Sequence, residues 1–314
     1  MSIVTIGVYG LGSIGFRHLQ GLGRLADDVR VVGVDPSPEA RLRARQEWVG
    51  EGRFFDSPDA PREDMDLVIL ATLAKDRVKL LGEVLERHSP HQVIIEKVAF
   101  QSSDAFGEAE RLLEKFGADA SVNCPRRQWP LHQKLRRLLP QEGQFEISLD
   151  GGGWGLACNS VHFIDLLQFY SDQSQVSLVE SDIHRLLASK RSGFDEAEGS
   201  LIFCSGRGSL KITCLPNGAA RPIMYISGDG WRWRVDEASG VVRDEASSHT
   251  ILDVGRPPYQ SELTAEAISP LLEGRDCPLA SLSESRAAHE PLLDGLAPAF
   301  TLAGSDTSKG LPIT

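Results

Sequence analysis

The sequence lacks an excess of basic residues and lacks any long apolar run. Its 33 Lys and Arg residues are outnumbered by 44 Asp and Glu residues, which gives a formal net charge of −11. Because nucleic acids and anionic membranes attract basic surfaces, we expect neither as a partner. No run of about eighteen apolar residues occurs, so no membrane-spanning helix is expected.

Closely spaced cysteines are also missing. The five cysteines lie at positions 124, 158, 204, 214 and 277. Their number is odd and no two have CxxC spacing, so we expect neither a metal site nor a disulfide framework. The first residues lead directly into the strand pattern SIVTIGVYG, without the basic region and cleavage site of a signal peptide. We therefore predict a protein of the reducing cytoplasm.

Two regions with different patterns follow one another along the 314 residues. In the first, the apolar runs IVTIGVYG, VRVVGVD, MDLVILAT and QVIIEKVAF alternate with helical segments, as in a parallel sheet covered on both faces. In the second, strand patterns follow one another with few helices. We predict an α/β domain over residues 1–122 and an α+β domain with a large, open, mostly antiparallel sheet over residues 123–314. The tail after Leu302 is expected to be loose.

A glycine pattern, Gly10-x-Gly12-x-x-Gly15, follows the first strand and opens a helix. In dinucleotide-binding folds these glycines permit a tight turn, the approach of a pyrophosphate and close packing of helix on strand. The next strand ends in Asp35, where an acid receives the ribose hydroxyls. A purely structural glycine turn is the alternative. The pattern favours a Rossmann domain that binds NAD(P) through Gly10, Gly12, Ser13, Ile14, Gly15 and Asp35.

The acid at position 35 also bears on the choice of cofactor. A carboxylate repels a 2′-phosphate, and the following residue is Pro36 instead of an arginine, so we expect NAD. Arg41 and Ser37 are close enough in sequence to leave NADP open.

Glu96 and Lys97 follow the buried strand pattern of QVIIEKVAF. The carboxyl ends of parallel strands form the ligand crevice of such a sheet. A lysine there can stabilise the alkoxide that develops on a substrate. A solvated ion pair at the end of the strand explains the same residues equally well.

The stretch GLACNSVHFIDLL places polar side chains where an apolar helix is expected to begin. Asn159 or Ser160 would cap that helix. His162 and Asp165 are three positions apart and would share one face, which suits a general base that accepts an alcohol proton. The alternatives are a histidine without a role and an acid that only complements the helix dipole.

Three segments together resemble the glucose–fructose oxidoreductase/inositol dehydrogenase/MocA (Gfo/Idh/MocA) family: GLGSIGFRHL, IIEKVAF and GGGWGLACNSVHFIDLL. The resemblance covers the whole chain. It implies a Rossmann domain followed by an open-sheet domain, and an NAD(P)-dependent dehydrogenase or reductase acting on CH–OH groups. The implied substrate is a sugar, polyol or sugar derivative, with phosphorylated and nucleotide-linked compounds included. It further implies a homodimer or homotetramer formed through the second sheet.

The resemblance also implies roles for individual residues. Lys97 and His162 correspond to the catalytic lysine and the proton-transferring histidine, with Asp165 beside the histidine. Thr72 and Glu96 join the expected cofactor contacts. The segment VNCPRRQWP resembles the crossing into the second domain, so Arg126 and Arg127 are expected either to clamp a substrate anion or only to open a helix.

The sequence departs from the family pattern at several positions. Val98 replaces the proline of Glu-Lys-Pro, and because a cis bond before valine is costly we expect Lys97 to be held differently. Cys158 replaces the family aspartate; we expect it and Asn159 to contact substrate, or else to be a packed residue and a cap. Arg77 stands at the position of a family histidine. These departures leave open a dinucleotide-binding regulator or scaffold that has lost catalysis.

Overall fold

The computed structural model describes residues 3–25, 29–59, 61, 63–218 and 221–314. The chain forms two compact units. The first comprises Met1–Pro125 and Pro258–Leu282, and the second comprises Arg126–Pro257 and Ser283–Thr314. Strands and helices are numbered below in chain order across both units.

The first unit is built on a parallel sheet. Within its described residues the strand order is β15-β6-β5-β4-β1-β2-β3, and only β15 is antiparallel to its neighbour. The strands are β1 (Val4–Tyr9), β2 (Val29–Val34), β3 (Gly52–Phe55), β4 (Leu67–Leu70), β5 (Gln92–Glu96), β6 (Asp119–Asn123) and β15 (Ala280–Ser281). The inner strands are almost fully buried, which explains their continuous apolar runs.

Helices lie between these strands. They are α1 (Ser13–Leu22), α2 (Pro38–Glu47), α3 (Arg77–His88), α4 (Ser103–Phe116) and α7 (Gln260–Leu272). Local capping sets the start of two of them, because the hydroxyls of Ser37 and Ser102 accept the amides of Ala40 and Ala105. Gly117, in the left-handed conformation, ends α4. The predicted Rossmann-type parallel sheet is confirmed.

The second unit is built on a mostly antiparallel sheet. Its strand order in the described residues is β14-β13-β12-β11-β7-β10-β9-β8, with β7 and β10 as a parallel pair. The strands are β7 (Phe145–Gly151), β8 (Ser177–Ala188), β9 (Asp195–Ser205), β10 (Gly208–Cys214), β11 (Ile223–Gly228), β12 (Trp231–Asp236), β13 (Val241–Asp244) and β14 (Thr250–Asp253). The helices are α5 (Pro130–Leu138), α6 (Leu156–Ser171) and α8 (Leu282–Leu302). The predicted mixed architecture of this region is confirmed.

One segment packs in a different unit from the division expected at residue 123. Helix α7 and strand β15 come late in the chain but belong to the first unit. Ala267 and Ile268 of α7 share a hydrophobic core with Leu19 and Leu22 of α1. Strand β15 extends the parallel sheet at β6. We expected residues 123–314 to form one domain, whereas residues 258–282 of this stretch pack with the first unit.

The chain end differs from its expectation. The tail after Leu302 contains a 3₁₀ turn, Thr307–Lys309, and then packs into the second unit. Leu311 and Ile313 are buried, and the carbonyl of Pro312 accepts the amide of Asp195 at 2.7 Å. The prediction of a loose tail is wrong, because these apolar residues gain burial and a backbone hydrogen bond.

Other features concern the protein class. None of the five cysteines, all of which lie among the described residues, forms a disulfide. Among the described residues, no group of three or more His, Cys, Asp or Glu side chains is arranged to hold a metal ion. No helix in that part of the chain is both long and apolar enough to cross a membrane.

Candidate functional site

The glycine turn lies between β1 and α1, as its spacing predicts. Gly10 has a φ of +88°, and a Cβ on Gly15 would lie 1.7 Å from the carbonyl oxygen of Gly10. Only glycine fits at these two positions. A Cβ on Gly12 would instead point into open space, which leaves its backbone approachable. Ser13 and Ile14 form the first turn of α1, where backbone N–H groups favour an anion.

Asp35 follows β2 and is tied to the glycine turn. Its carboxylate accepts the amide of Leu11 at 2.6 Å and the amide of Ser37 at 2.8 Å. Arg41 donates to the backbone carbonyl of Asp35, and the Ser37 hydroxyl donates to Glu39. The two residues that left NADP open are thus engaged locally, and a carboxylate faces this end of the turn.

The Thr72 hydroxyl gives a test of cofactor fit. Thr72 follows β4, and a Cβ on Gly10 would lie 3.0 Å from its amide. Its Oγ1 atom is buried and has no hydrogen-bond partner among the described residues. A buried hydroxyl without a partner is costly unless a ligand supplies one. Together with the open approach at Gly12, this fits a dinucleotide.

Glu96 closes a buried polar cluster at the end of β5. Its Oε1 atom contacts His18 Nε2 at 2.8 Å and also accepts from Asn123. His18 Nδ1 lies 2.9 Å from the hydroxyl of Thr264. Burial alone would raise the pKa of Glu96, but the bonds from His18 and Asn123 and the charge of Lys97 lower it. The carboxylate expected to contact cofactor is thus engaged by its own unit.

Lys97 is the one partly exposed residue within an otherwise buried run, residues 93–100. The backbone on both sides of it is held by Arg77, whose side chain is 2 % exposed. Arg77 Nη1 donates to the carbonyls of Glu96, Val98 and Ala99 at 2.6–2.7 Å. Its Nη2 donates to the carbonyl of Thr72. The arginine at the family's histidine position is therefore a clamp on the Lys97 segment.

The Lys97–Val98 peptide bond is cis. We expected Lys97 to be held differently because a cis bond before valine is costly, and the bond is nevertheless cis. Arg77 donates hydrogen bonds to the carbonyls of Glu96 and Val98, on either side of Lys97. The sequence pattern did not predict these contacts.

Helix α6 begins earlier than expected. Its N-cap is Gly155, so Asn159 and Ser160 lie inside the helix and the predicted capping by them is wrong. The Asn159 side chain instead donates to the carbonyl of Trp154 at 2.7 Å. The amide of Ala157 is accepted by Glu196 Oε2 at 2.9 Å. Glu196 comes from β9, so a distant carboxylate occupies the helix start and no local sequence signal pointed to it.

His162 therefore lies in the second turn of α6, not the first, and is 9 % exposed. Thirteen of the sixteen residues of α6 are buried, so the helix is enclosed on nearly all sides instead of along one stripe. Cys158 and Asn159 precede His162 and are partly exposed. The polar residues near the start of α6 therefore belong to a helix that is mostly buried.

Asp165 is bound to Arg127. Arg127 Nε and Nη2 donate to its two carboxylate oxygens at 3.1 and 2.5 Å. Burial raises the pKa of Asp165, and the charge and hydrogen bonds of Arg127 oppose that rise without cancelling it. Arg127 Nη1 also lies 3.6 Å from Glu284 of α8. Two residues assigned to separate roles, orienting His162 and clamping substrate, therefore form one buried ion pair.

Arg126 points to a different cluster. Its Nε donates to Glu237 at 3.0 Å, and its guanidinium lies 4.6 Å from the Phe163 ring centroid and 5.2 Å from that of Trp129. Glu237 also contacts His132 Nε2 at 2.9 Å. Burial opposes ionisation of Glu237, but Arg126 and His132 lower its pKa to about 2. Glu237 and His132 carried no signal in the sequence.

The parallel sheet with a glycine turn between β1 and α1 defines the first unit as a Rossmann fold, and the mixed sheet defines the second. No family model matches the chain, and no curated protein matches its sequence. Solved structures match over nearly the whole chain, all at low identity. They therefore show the fold, and the two-domain fold that the family resemblance implied is confirmed.

Three of these structures illustrate the range. An oxidoreductase from Agrobacterium radiobacter, solved with NAD+, L-tartaric acid and magnesium, has a TM-score of 0.72 and 12 % identity, with 93 % of this chain and 94 % of that one covered. The scyllo-inositol dehydrogenase of Lactobacillus casei, solved with NAD(H) and scyllo-inositol, has a TM-score of 0.66 and 15 % identity, with 94 % of this chain and 96 % of that one covered. The transcriptional regulator Gal80p of Kluyveromyces lactis has a TM-score of 0.71 and 14 % identity, with 96 % of this chain and 93 % of that one covered.

Proposed function

We propose that the protein is an NAD-dependent oxidoreductase that transfers a hydride between the nicotinamide and an alcohol or carbonyl carbon of a sugar, polyol or sugar derivative. One observation supports this most: the glycine turn after β1 and Lys97 after β5 follow the carboxyl ends of strands in one parallel sheet. That edge is where such sheets bind ligands. Neighbours of the same fold solved with NAD support the choice of cofactor.

The cofactor contacts belong to the first unit. Thr72 would supply a hydroxyl to the cofactor. Glu96 precedes Lys97 and would support this side of the site through its hydrogen bond with His18. When bound, the nicotinamide supplies the hydride acceptor or donor. The remaining contacts are assigned to Gly10, Gly12, Ser13, Ile14, Gly15 and Asp35.

The acid–base chemistry is assigned to two side chains. The Lys97 ammonium stabilises the substrate oxygen as negative charge develops on it. His162 accepts the alcohol proton during oxidation and returns it during reduction. Asp165 has a positioning role, because its ion pair with Arg127 holds the helix that carries His162.

Substrate contacts are assigned to the neighbourhood of α6. Arg126 lies over the ring of Phe163, the residue after His162. Cys158 and Asn159 precede His162 and are partly exposed. Arg127, expected beside Arg126, instead holds Asp165. The set therefore comprises Arg126, Cys158 and Asn159.

The test separates binding from turnover. Lys97→Ala and His162→Ala should bind NADH with affinity near that of the parent protein, measured by fluorescence, while the change in absorbance at the NADH band disappears with a panel of sugars, polyols and sugar phosphates. Lys134→Ala, at a lysine of α5, is the matched control. Full turnover in both site variants would overturn the assignment of roles.

A second candidate is a dinucleotide-binding regulator or scaffold without catalysis. Two observations favour it: Cys158 at the family's aspartate position, and a transcriptional regulator among the proteins of the same fold. The same panel decides, because a regulator binds NADH and reduces or oxidises no member. Turnover of any substrate that is lost in Lys97→Ala eliminates this candidate.

The assembly expected with the proposed function is a homodimer or homotetramer formed through the sheet of the second unit. The expected location is the cytoplasm, and the expected partner is a small sugar-type molecule, without nucleic acid or membrane. Light scattering at micromolar concentration tests the assembly, and a monomer would contradict it.

A further inference from the structure

A cavity of about 590 Å³ opens in the second unit where β11 begins and β12 ends. We infer that this cavity binds a phosphate or carboxylate group of the substrate, so that the substrate of the enzyme is an anionic sugar derivative. This inference rests on the proposed function for the identity of the ligand, but not for the presence of an anion site. The cavity is lined in part by Arg126, Arg221, Arg234, Met224, Asp236 and Glu237.

The lining contains three guanidinium groups and two carboxylates, and both carboxylates accept hydrogen bonds. Glu237 Oε1 accepts from Arg126 and contacts His132. Asp236 accepts from the hydroxyl of Ser239 at 2.7 Å and from backbone amides of its own turn. None of these hydrogen bonds involves Arg221 or Arg234, and both arginines are exposed. The charge of Arg234 does act on Asp236, where it helps to lower the pKa of the carboxyl. Three arginines against two carboxylates leave the lining with an excess of positive charge for a ligand.

Arg126 is held by three contacts within the second unit. It lies over the faces of two aromatic rings, those of Phe163 and Trp129, and its hydrogen bond to Glu237 uses Nε. The fork of Nη1 and Nη2 donors is the part of the guanidinium that suits a phosphate or carboxylate. Glu237 is itself held by His132: the Nε2 atom of His132 contacts Glu237, and its Nδ1 atom contacts the hydroxyl of Tyr170. Such prior fixing lowers the entropy lost on binding.

The cavity adjoins the helix of the proposed acid–base residue within the same unit. Phe163, whose ring lies against Arg126, immediately follows His162 on α6. A cavity of several hundred Å³ is in the range of small-ligand sites and exceeds what one phosphate group fills. A sugar that carries an anionic group would therefore occupy this cavity with its charged end at the arginines.

The site is tested with simple anions. Inorganic pyrophosphate, inorganic phosphate and D-gluconate are titrated by calorimetry at low salt, with uncharged sorbitol as reference. We expect Arg221→Gln and Arg234→Gln each to weaken binding of the preferred anion about 5- to 20-fold, as loss of a charge-assisted contact implies. Arg126→Lys should weaken it by a similar factor without unfolding, which a thermal melt checks. Whether pyrophosphate or gluconate responds more strongly distinguishes a phosphate from a carboxylate ligand.

Arg232→Gln is the matched control, because this arginine lies on the same strand but packs over the ring of Tyr225 and does not line the cavity. Its anion affinity should stay within twofold of the parent. No anion binding at millimolar concentration, or equal affinity in Arg234→Gln and Arg232→Gln, overturns the inference. A phosphate that binds only at the glycine turn would give that equal affinity in the two variants. Failure of the proposed function is a separate result, because it appears as no NADH turnover while the anion titration still responds to Arg221 and Arg234.

Discussion

The end of β5 in the first unit and the start of α6 in the second carry the two side chains assigned to chemistry, and they are held in different ways. At β5, neighbouring strand ends and a buried arginine fix the backbone around Lys97. At α6, a carboxylate from β9 and an ion pair from a preceding turn hold the helix around His162. The first arrangement follows from the sheet, whereas the second depends on residues far away in sequence.

The largest effect is expected at Arg77. Arg77→Met removes one buried cation that serves four carbonyls, and buried acceptors without donors are costly. We expect the free energy of unfolding to fall by about 4 kcal/mol, because each buried carbonyl left without a donor costs about 1–3 kcal/mol and some of the four can find another donor. Urea denaturation measures the loss. Arg87→Met on the same helix, which breaks the exposed pair with Asp59, should cost less than about 1 kcal/mol.

A similar loss in the two variants would show that the Lys97 segment is fixed by the sheet alone. Arg77 would then have no special part in holding the backbone around Lys97.

A somewhat smaller effect is expected at Arg127. Arg127→Leu leaves the Asp165 carboxylate buried without its cation, at a cost of about 3 kcal/mol at neutral pH. Burial already raises the pKa of Asp165, and loss of Arg127 raises that pKa further. The folded variant therefore binds a proton more readily than the unfolded chain, so its deficit should shrink as pH falls through the raised pKa.

The measurement is urea denaturation of Arg127→Leu and the parent between neutral pH and pH 5. Arg136→Leu, which breaks an exposed pair with Asp172, is the control and should show little change. A deficit that is constant across this pH range would mean that the cost comes from lost packing and not from the buried carboxylate.

Much of the first unit was predictable, because its signals are local. The glycine pattern and Asp35 lie within one strand–helix–strand stretch, and the structure places them at one sheet edge. Each apolar strand run is likewise visible within a few consecutive residues. The start of α6 was misplaced because a polar pair, Asn159 and Ser160, matched the composition of a cap. The actual stabilising group, Glu196, lies on another strand, and no spacing rule links it to the helix.

The arginines show the same limit. Sequence predicted Arg126 and Arg127 as equivalent candidates for an anion clamp, yet adjacent residues of a turn point to different clusters. Arg77 was visible only as a departure from a family histidine. Its role depends on carbonyls that come together when β4 and β5 pair.

A moderate effect is expected at Glu196. Glu196→Ala removes the carboxylate that accepts the Ala157 amide at the start of α6, and we expect a loss of about 1 kcal/mol, as for an N-cap. Thermal and urea unfolding measure it. Glu146→Ala, at an exposed position of β7, should change stability by less than about 0.5 kcal/mol. Equal values would indicate that α6 is held by its apolar burial alone.

The smallest effect is expected at Asp35, and it is measured as a change in cofactor preference. Asp35→Ser removes a carboxylate that repels a 2′-phosphate, so the ratio of NADH to NADPH affinity should fall about tenfold. Fluorescence titration with both cofactors measures the ratio. Asp56→Ser, an exposed acid just after β3, should leave it unchanged. A parent protein that already prefers NADPH would contradict the assignment of Asp35.

The return of α7 and β15 to the first unit has a consequence for synthesis. A ribosome that has released β1 to β6 has not yet made the helix that covers α1 or the strand that borders β6. The nascent N-terminal portion must wait with that apolar surface uncovered while the whole eight-stranded sheet is translated. Exposed apolar surface of this kind is a recognised hazard for self-association and a reason for chaperone engagement.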